Sequence, residues 1–516
     1  MFMRPLMKHF MKLLNSYLSV MYTLRVQAGM RLSMTNNENK NLLLRILFPT
    51  LIGGFIIAMD KLVLNASIST FPHAFNAILE LLASSLLLTP MLYILYLLAK
   101  ARARARRIEE EMKYFIISES VIASASPNVI DDLTSLGNLH EIFNQLSRES
   151  VLLRRLRKLM TTSEVVHLYS KWIKSRFVGN ILSDFVFAQS LGIVKAWLKE
   201  KGGELLEELK VDSLNRVKFR ATVSILFAVL LGYVPPIILA LSALMGGEVV
   251  TKALTMTLML CPMFFLVTPR APKHFEIFFR KLPRKCLAAV AAVIIILIFK
   301  CVTAILEQGG EVRVLLPYLI PLGITLTALG LFQVSSMVNA VYEARQLSNV
   351  LLTIIEAPLS IGNALAIVKE ALSRTNYRVF KELSKVNLLS AYHSVLSDAR
   401  LWITKFTMYT IMKGLTYGTL NRENLMKLRN LVTEMLRGFK LSLSSNAMVA
   451  ILALALPLIL NYVGALGSAS VSSLTTLYII ASSLIYSSYA SYVIFGKVTN
   501  TLLPGAVCIE LAFLLR

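Results

Sequence analysis

The sequence predicts an all-α polytopic membrane protein with about nine transmembrane helices and two cytoplasmic helical-bundle domains, duplicated in parallel. Three observations carry this. The 516 residues are 56% hydrophobic, with a mean hydropathy of +0.64, which exceeds the usual soluble chain. The apolar residues gather into runs of about 20, the length a helix needs to cross a hydrocarbon core of about 30 Å. The 54 Lys+Arg against 30 Asp+Glu, a net charge of +24, fall almost entirely on one side of those runs.

The spans are 43–59, 77–99, 221–245, 253–269, 287–305, 314–338, 446–466, 475–495 and a weaker 498–515. They are too long and too uniformly apolar for barrel strands, which alternate, so they read as helices. If the spans alternate in direction, four segments share one side. Of these, residues 1–42 carry Arg4, Lys8, Lys12, Arg25, Arg31 and Lys40. The 270–286 loop carries Arg270, Lys273, Arg280, Lys281, Arg284 and Lys285. The opposite connections hold only Lys61, Lys252, Lys300 and Arg313. The basic side is therefore cytoplasmic, N-terminus included, and the net charge is accounted for without nucleic acid.

The elements follow in order. Residues 1–42 form a cytoplasmic amphipathic segment, of which 1–33 lie on the inner leaflet with basic residues toward anionic lipid. A start at Met30 or Met34 is the other reading, and Leu13–Tyr22 is too short and polar for a signal peptide. A transmembrane pair (43–99) leads to the first cytoplasmic helical domain (100–220). There Val151, Leu152, Leu156, Leu159 and Met160 predict the buried face of a helix, with Arg154, Arg155, Arg157 and Lys158 opposite. Val194, Trp197 and Leu198, then Leu205, Leu206 and Leu209, predict further helical turns on either side of Gly202-Gly203. A second pair (221–269), the basic loop (270–286) and a third pair (287–338) lead to a second, divergent helical domain (339–445). Its buried positions are predicted at Val368, Ala371, Leu372, Leu425, Leu428, Leu431, Val432 and Leu436. Transmembrane helices close the chain (446–516). Both domains read as small bundles under the membrane.

Several features bear on function. Lys100 to Arg107 alternate basic residues with alanine and precede Glu109-Glu110-Glu111; they read as an anchor to lipid headgroups or as a stiff helical lever. The cluster Arg154, Arg155, Arg157, Lys158 and the loop cations Arg270, Lys273, Arg280 and Lys281 are candidate partner surfaces, either for headgroups or for an acidic protein face. Pro235-Pro236 and Pro457 predict kinks within spans, and Pro317 and Pro321 a break near the start of the sixth. Arg45, Glu80 and Glu510 sit near predicted span ends, where long side chains snorkel. Cys261, Cys286, Cys301 and Cys508 read as small buried hydrophobes, and the six His have no metal spacing. No phosphate-binding Gly-x-x-x-x-Gly-Lys-Ser/Thr occurs, so no catalytic, cofactor or metal residues are assigned and the protein is not expected to be an enzyme.

The layout repeats: two spans, a helical domain and two more spans occupy about 43–269 and again about 287–495. Each unit holds an even number of spans, so the copies point the same way, unlike inverted transporter repeats. Ser126-Pro127-Asn128-Val129-Ile130 stands beside Ala357-Pro358-Leu359-Ser360-Ile361, and Gly192 beside Gly418. Glu111-Met112-Lys113-Tyr114-Phe115 leads through Pro127 to Ile130 and Leu133, as Glu343 leads through Pro358 to Ile361, Ala364 and Leu365. On these residues the chain resembles the type II secretion system F family, the platform proteins of type II secretion, type IV pili and the archaellum, and most of all its archaeal members. Ser124-Ala125-Ser126 and Glu356-Ala357 stand where that family has Gly before the Pro, with Pro127, Pro358, Gly192 and Gly418 as the motif turns.

The resemblance implies a platform in the cell membrane on which a hexameric secretion ATPase docks from the cytosol. Pilin-like subunits would be lifted from the lipid bilayer into a filament, and a homodimer is one option for the assembly. The alternative from another class is a multi-pass transporter, which would keep its substrate site at the bilayer midplane.

Overall fold

A computed structural model describes residues 19–21, 23–29, 89–122, 129–173, 175–240, 256–257, 260–261, 263–265, 267–268, 277, 316–357, 364–385, 398–417, 420–466, 473–495 and 500–514. The protein is all-α: among the described residues there is no strand, only an isolated antiparallel bridge between Ile277 and Leu401. The predicted spans 43–59 and 287–305 and most of 77–99 lie outside the described residues, as do Pro127, Pro358, Gly418, Arg270, Lys273, Arg280 and Lys281. The chain divides into two compact units, Met1–Ile116 with Ser126–Trp197, and Ile117–Ala125 with Leu198–Arg516.

The first unit is built on the long helix α1 (Thr89–Ile122). It is followed by α2 (Val129–Ser135), α3 (Asn144–Arg157), α4 (Thr162–Ile173) and α5 (Arg176–Ser190). Helix α4 opens with a capping box: Glu164 Oε2 accepts the Thr161 N–H at 2.9 Å, and the Glu164 N–H points back to Thr161 Oγ1 at 3.4 Å. Ser175 caps α5, accepting the Val178 N–H at 3.3 Å. The predicted motif turn Gly192 ends α5 in the left-handed region, at φ +71°. The Ile193 N–H reaches Ala188 O at 3.0 Å and the Gly192 N–H reaches Gln189 O at 3.2 Å, the paired bonds of a Schellman turn.

Helix α3 departs from the sequence reading. Its buried face is Leu146, Ser147, Glu149, Ser150 and Leu153. Of the predicted apolar face, Leu152 and Leu156 are half-buried, while Val151, Leu159 and Met160 are exposed. The cause is polar: Glu149 has a cation inside the domain, and Ser147 and Ser150 return their hydroxyls to the Asn144 and Ser147 carbonyls. The buried stripe thus runs through Glu149 and Ser150, while Arg154, Arg155 and Lys158 stay exposed as predicted.

Of the N-terminal segment, Met21, Leu24 and Ala28 pack against Leu97 and Ala101 of α1, with Tyr93, Ile94 and Leu98 alongside.

In the second unit, α6 (Val194–Gly232) carries the helical turns predicted on either side of Gly202-Gly203 as one continuous helix. A Cβ on Gly202 would sit 2.0 Å from Ser120 Oγ; the missing side chain serves a close approach, not a turn. Helix α6 stops at Tyr233 and α7 (Val234–Ala240) follows at once. Pro235 and Pro236 have no N–H for the carbonyls one turn back, so the expected kink is present. Next come α8 (Leu316–Glu356), α9 (Ala364–Ser373), α10 (Arg378–Lys385), α11 (Trp402–Tyr417), α12 (Arg422–Leu466), α13 (Ser473–Phe495) and α14 (Leu502–Leu514). Pro321 and Pro457 lie inside α8 and α12. The predicted second-domain core is buried from Val368 through Val432, and Leu436 is half-buried.

Among the described residues, one helix, Pro317–Glu356, is long and apolar enough to cross a membrane; Ala447–Tyr462, Tyr478–Ile494 and Leu502–Leu514 are shorter apolar stretches. At 13 residues, α14 rises about 20 Å, less than a hydrocarbon core of about 30 Å.

Directions within this apolar bundle follow from side-chain contacts. Arg220 on α6 donates to the Tyr492 and Val493 carbonyls of α13 at 2.9 and 3.1 Å, and Phe227 packs on Tyr486 and Tyr489. Hence α6 and α13 are antiparallel. Thr257 meets Tyr478 at 3.1 Å and Thr268 meets Tyr489 at 3.0 Å, two hydroxyl pairs with the same separation of 221 residues. The two pairs place Thr257 and Thr268 alongside α13 in the parallel sense. Thr501 Oγ1 donates to Leu326 O, and Gly505 lies against Gly323, so α8 and α14 are antiparallel. Large apolar side chains also face outward: Ile225, Leu226, Val229, Ile324, Leu331, Met448, Ile451, Leu458 and Phe513 are all exposed.

Candidate functional site

The predicted cationic cluster on α3 is brought together but not left free. Arg154 donates to the Thr134 carbonyl from Nε at 3.2 Å and Nη2 at 2.7 Å, and Arg157 pairs with Asp131. Both tie α3 to α2. Arg155 and Lys158 are exposed and have no partner among the described residues. Of the basic loop, only Ile277 is described, bridged to Leu401 at the start of α11.

The more demanding chemistry is in buried polar joints that sequence reasoning did not find. In the first unit, Arg104 of α1 is a hub. Its Nη2 meets Glu149 Oε2 at 2.7 Å, with side chains 13% and 5% exposed. Its Nη1 donates to the carbonyls of Val26 and Gln27, each at 2.9 Å. One guanidinium thus holds α1, α3 and the end of the N-terminal segment, using the fork geometry that a lysine lacks. Tyr169 lies beside this pair; burial, then the Glu149 charge, pushes its phenol well above its ordinary pKa.

One turn of domain helix further, Glu111 Oε2 accepts the backbone N–H groups of Gln145 and Leu146 at 2.9 and 2.8 Å. These are orphan donors of the first turn of α3, where a carboxylate also meets the positive end of the helix dipole. Glu109 Oε2 accepts from the hydroxyl of Ser175, the cap of α5, at 3.2 Å.

The second unit repeats the device. Glu343 on α8 is fully buried and accepts the N–H groups of Arg400 and Leu401, at the mouth of α11, at 2.9 and 3.1 Å. It also accepts from the Tyr377 hydroxyl at the mouth of α10. Burial, then the Glu343 charge, raises the Tyr377 pKa. Glu111 and Glu343 are the two glutamates the sequence placed at equivalent motif positions. In each unit such a residue pins a long helix to the starts of the domain helices.

A further joint lies wholly within the second unit, between residues 118–121 and α11–α12. Lys413 Nζ meets Glu119 Oε1 at 2.7 Å, with side chains 12% and 3% exposed. Around it, Thr410 Oγ1 meets Ser118 Oγ at 3.3 Å, the Asn421 N–H donates to Val121 O at 2.6 Å, and Asn424 Nδ2 donates to Ser120 O at 3.4 Å.

Lys413 interrupts the apolar run of α11, and Arg104 sits in an alternating Arg/Ala stretch; in neither case does the local pattern name the partner. Among the described residues there is no group of three His, Cys, Asp or Glu side chains able to hold a metal ion. Cys261 and Cys508 are buried free thiols. What the arrangement can do is hold helices in register under load, through directional, charge-assisted bonds. No family model, curated protein or solved structure matches the chain.

Proposed function

We propose that the protein is an integral membrane platform of a type IV pilus-like or type II secretion-like machine, similar to the F family. A cytosolic hexameric ATPase moves its helical domains, and they in turn move pilin-like subunits out of the bilayer. The observation that carries this reading is the repeated carboxylate joint, Glu111 on α1 and Glu343 on α8. A long helix pinned rigidly to a helical bundle, twice in one chain, suits a part that transmits motion made elsewhere.

The multi-pass arrangement, with the N-terminus in the cytosol of the cell, has its own support. The antiparallel pair α6–α13, the parallel placement of Thr257 and Thr268 along α13, and the antiparallel pair α8–α14 all agree with spans that alternate in the predicted order. The outward Ile, Leu and Phe side chains suit a lipid solvent. Arg220, capping the last carbonyls of α13, suits an inner interface where predicted spans begin and end. With Arg154 and Arg157 engaged inside the domain, the 270–286 loop (Arg270, Lys273, Arg280, Lys281) becomes the surface for the ATPase.

The test is co-purification of the full chain with a hexameric secretion ATPase from the same cell, together with loss of surface filaments on deletion. Reversing the four loop charges should abolish capture while membrane insertion persists. A transporter remains the second reading because α13 buries the Ser483, Tyr486 and Ser491 hydroxyls without hydrogen-bond partners among the described residues. Solute uptake into vesicles holding only this chain would favour that reading and reject the platform.

A further inference from the structure

We infer that the corner between α3 and α4, carrying Arg155, Lys158, Leu159 and Met160, is a contact surface for an anionic lipid bilayer. The inference rests on the membrane reading above and concerns which cytosolic side chains touch the inner leaflet.

The direction of α3 comes first. Phe143 meets Phe115 with ring centroids 6.3 Å apart. Two to three residues on, Gln145 and Leu146 meet Glu111; then Glu149 meets Arg104. As numbering rises along α3 it falls along α1, so α3 runs back toward the apolar start of α1. The last residue of α3, Arg157, lies about 12 Å beyond Glu149 along the helix, and Lys158, Leu159 and Met160 follow it in the turn. Arg104 lies about 8 Å past the predicted span end at residue 99. The end of α3 therefore reaches the depth at which α1 leaves the hydrocarbon.

The chemistry comes second. Leu159 is 80% exposed and Met160 41%, large apolar groups that a purely aqueous corner has no reason to present. Arg155 and Lys158 flank them, exposed and without partners among the described residues. Apolar insertion beside unpaired cations is the pattern of an interfacial helix on anionic lipid. The corner is also preorganised. Arg154 and Arg157 fix α3 to α2, and the Thr161/Glu164 capping box fixes the start of α4. The acids at the corner are already engaged: Asp131 pairs with Arg157, and the Glu164 carboxylate is held by Thr161, which keeps its pKa below the ordinary value. This surface explains why the hydropathy of α3 and its buried face disagree: the second apolar stripe serves a different solvent.

The test uses the full chain with Cys261, Cys286, Cys301 and Cys508 replaced by Ala, carrying one fluorophore-labelled cysteine. Vesicles contain brominated phosphatidylcholine, with or without phosphatidylglycerol. Labels at Leu159→Cys should be quenched, more strongly with phosphatidylglycerol. Arg155→Gln with Lys158→Gln should remove about half or more of that anionic-lipid-dependent part. A label at Asn144→Cys, at the far end of α3, should stay unquenched. Ile451→Cys, exposed on α12, should be quenched in both vesicles. Quenching at 159 no greater than at 144, while 451 is quenched, overturns the inference and leaves that corner to a protein partner. Absence of quenching at 451 overturns the membrane reading itself.

Discussion

Replacing Lys413 by methionine leaves the Glu119 carboxylate without its ammonium in a site where it is 3% exposed. Methionine keeps the length and most of the volume, so the perturbation is chiefly the lost charge. Removing one partner of a buried ion pair costs about 3–5 kcal/mol, because the remaining charge is desolvated and uncompensated. The lower part of that range is expected here. Residues 118–121 are still held by Thr410, Asn421 and Asn424, so the strip does not detach and water has limited entry. The Lys413 ammonium also lies over the Tyr417 ring at 5.8 Å, a contribution of about 0.5–1 kcal/mol that methionine only partly replaces. The expected loss for Lys413→Met is therefore about 3 kcal/mol. Unfolding of the purified full chain in mixed micelles reads it, within a double-mutant cycle with Glu119→Gln. The double variant should be more stable than the two single losses added together, by about 1–3 kcal/mol. Additive losses, or a single loss below about 1 kcal/mol, would mean that the pair is screened and contributes as little as a surface bridge.

Three further outcomes follow from the same geometry. Glu149→Gln deprives buried Arg104 of its counter-charge and should cost about 3–5 kcal/mol; tryptic cleavage at Arg25 should quicken, while Arg155→Gln leaves it unchanged. Two glycine substitutions should differ in mechanism. At Gly330 a Cβ would lie 2.3 Å from Leu502 N, a backbone atom, so Gly330→Ala forces α8 and α14 apart, at about 1–3 kcal/mol by thermal shift. At Gly192 nothing lies within 4 Å, so Gly192→Ala meets only the left-handed backbone, about 1 kcal/mol, and Gly192→Asn recovers part of it. The Glu423 carboxyl is held below the ordinary range by its hydrogen bond to Lys199 at 2.8 Å, with Lys427 adding to it at 3.6 Å. A depressed folded value means that its contribution is present above the unfolded pKa and is lost as pH falls through the folded one. Both groups are half-exposed, so titration of the carboxyl is the measurement; Lys199→Met should move its midpoint upward.

What could be read from the sequence divides along a physical line. Positions buried by apolar contact alone were legible: Val368, Leu372, Leu425, Leu428 and Val432 fall at helical spacing and are buried. The kink at Pro235-Pro236 was legible because a missing N–H is a local fact. Positions buried by polar pairing were not. Glu149 and Ser150 look like solvent residues until Arg104, 45 residues away, supplies a reason to bury them, and the predicted face of α3 was misplaced in consequence. Helix α11 shows no amphipathic stripe because Trp402 through Met412 are buried all round. Lys413 and Glu119 lie 294 residues apart, so neither announces the other. The motif glutamates Glu111 and Glu343 were visible as letters; that each closes the open end of domain helices required the fold. These illegible residues are the ones on which a mechanical reading depends. Apolar packing is non-directional and tolerates sliding, whereas an arginine fork on a carboxylate and backbone amides on a buried glutamate each accept one register. Desolvating such groups carries a cost that hydrophobic substitutes would avoid. Under the platform reading proposed above, their concentration where long helices meet the domain helices is what a load path demands; relocating them to the domain surface would leave those helices joined by apolar packing alone.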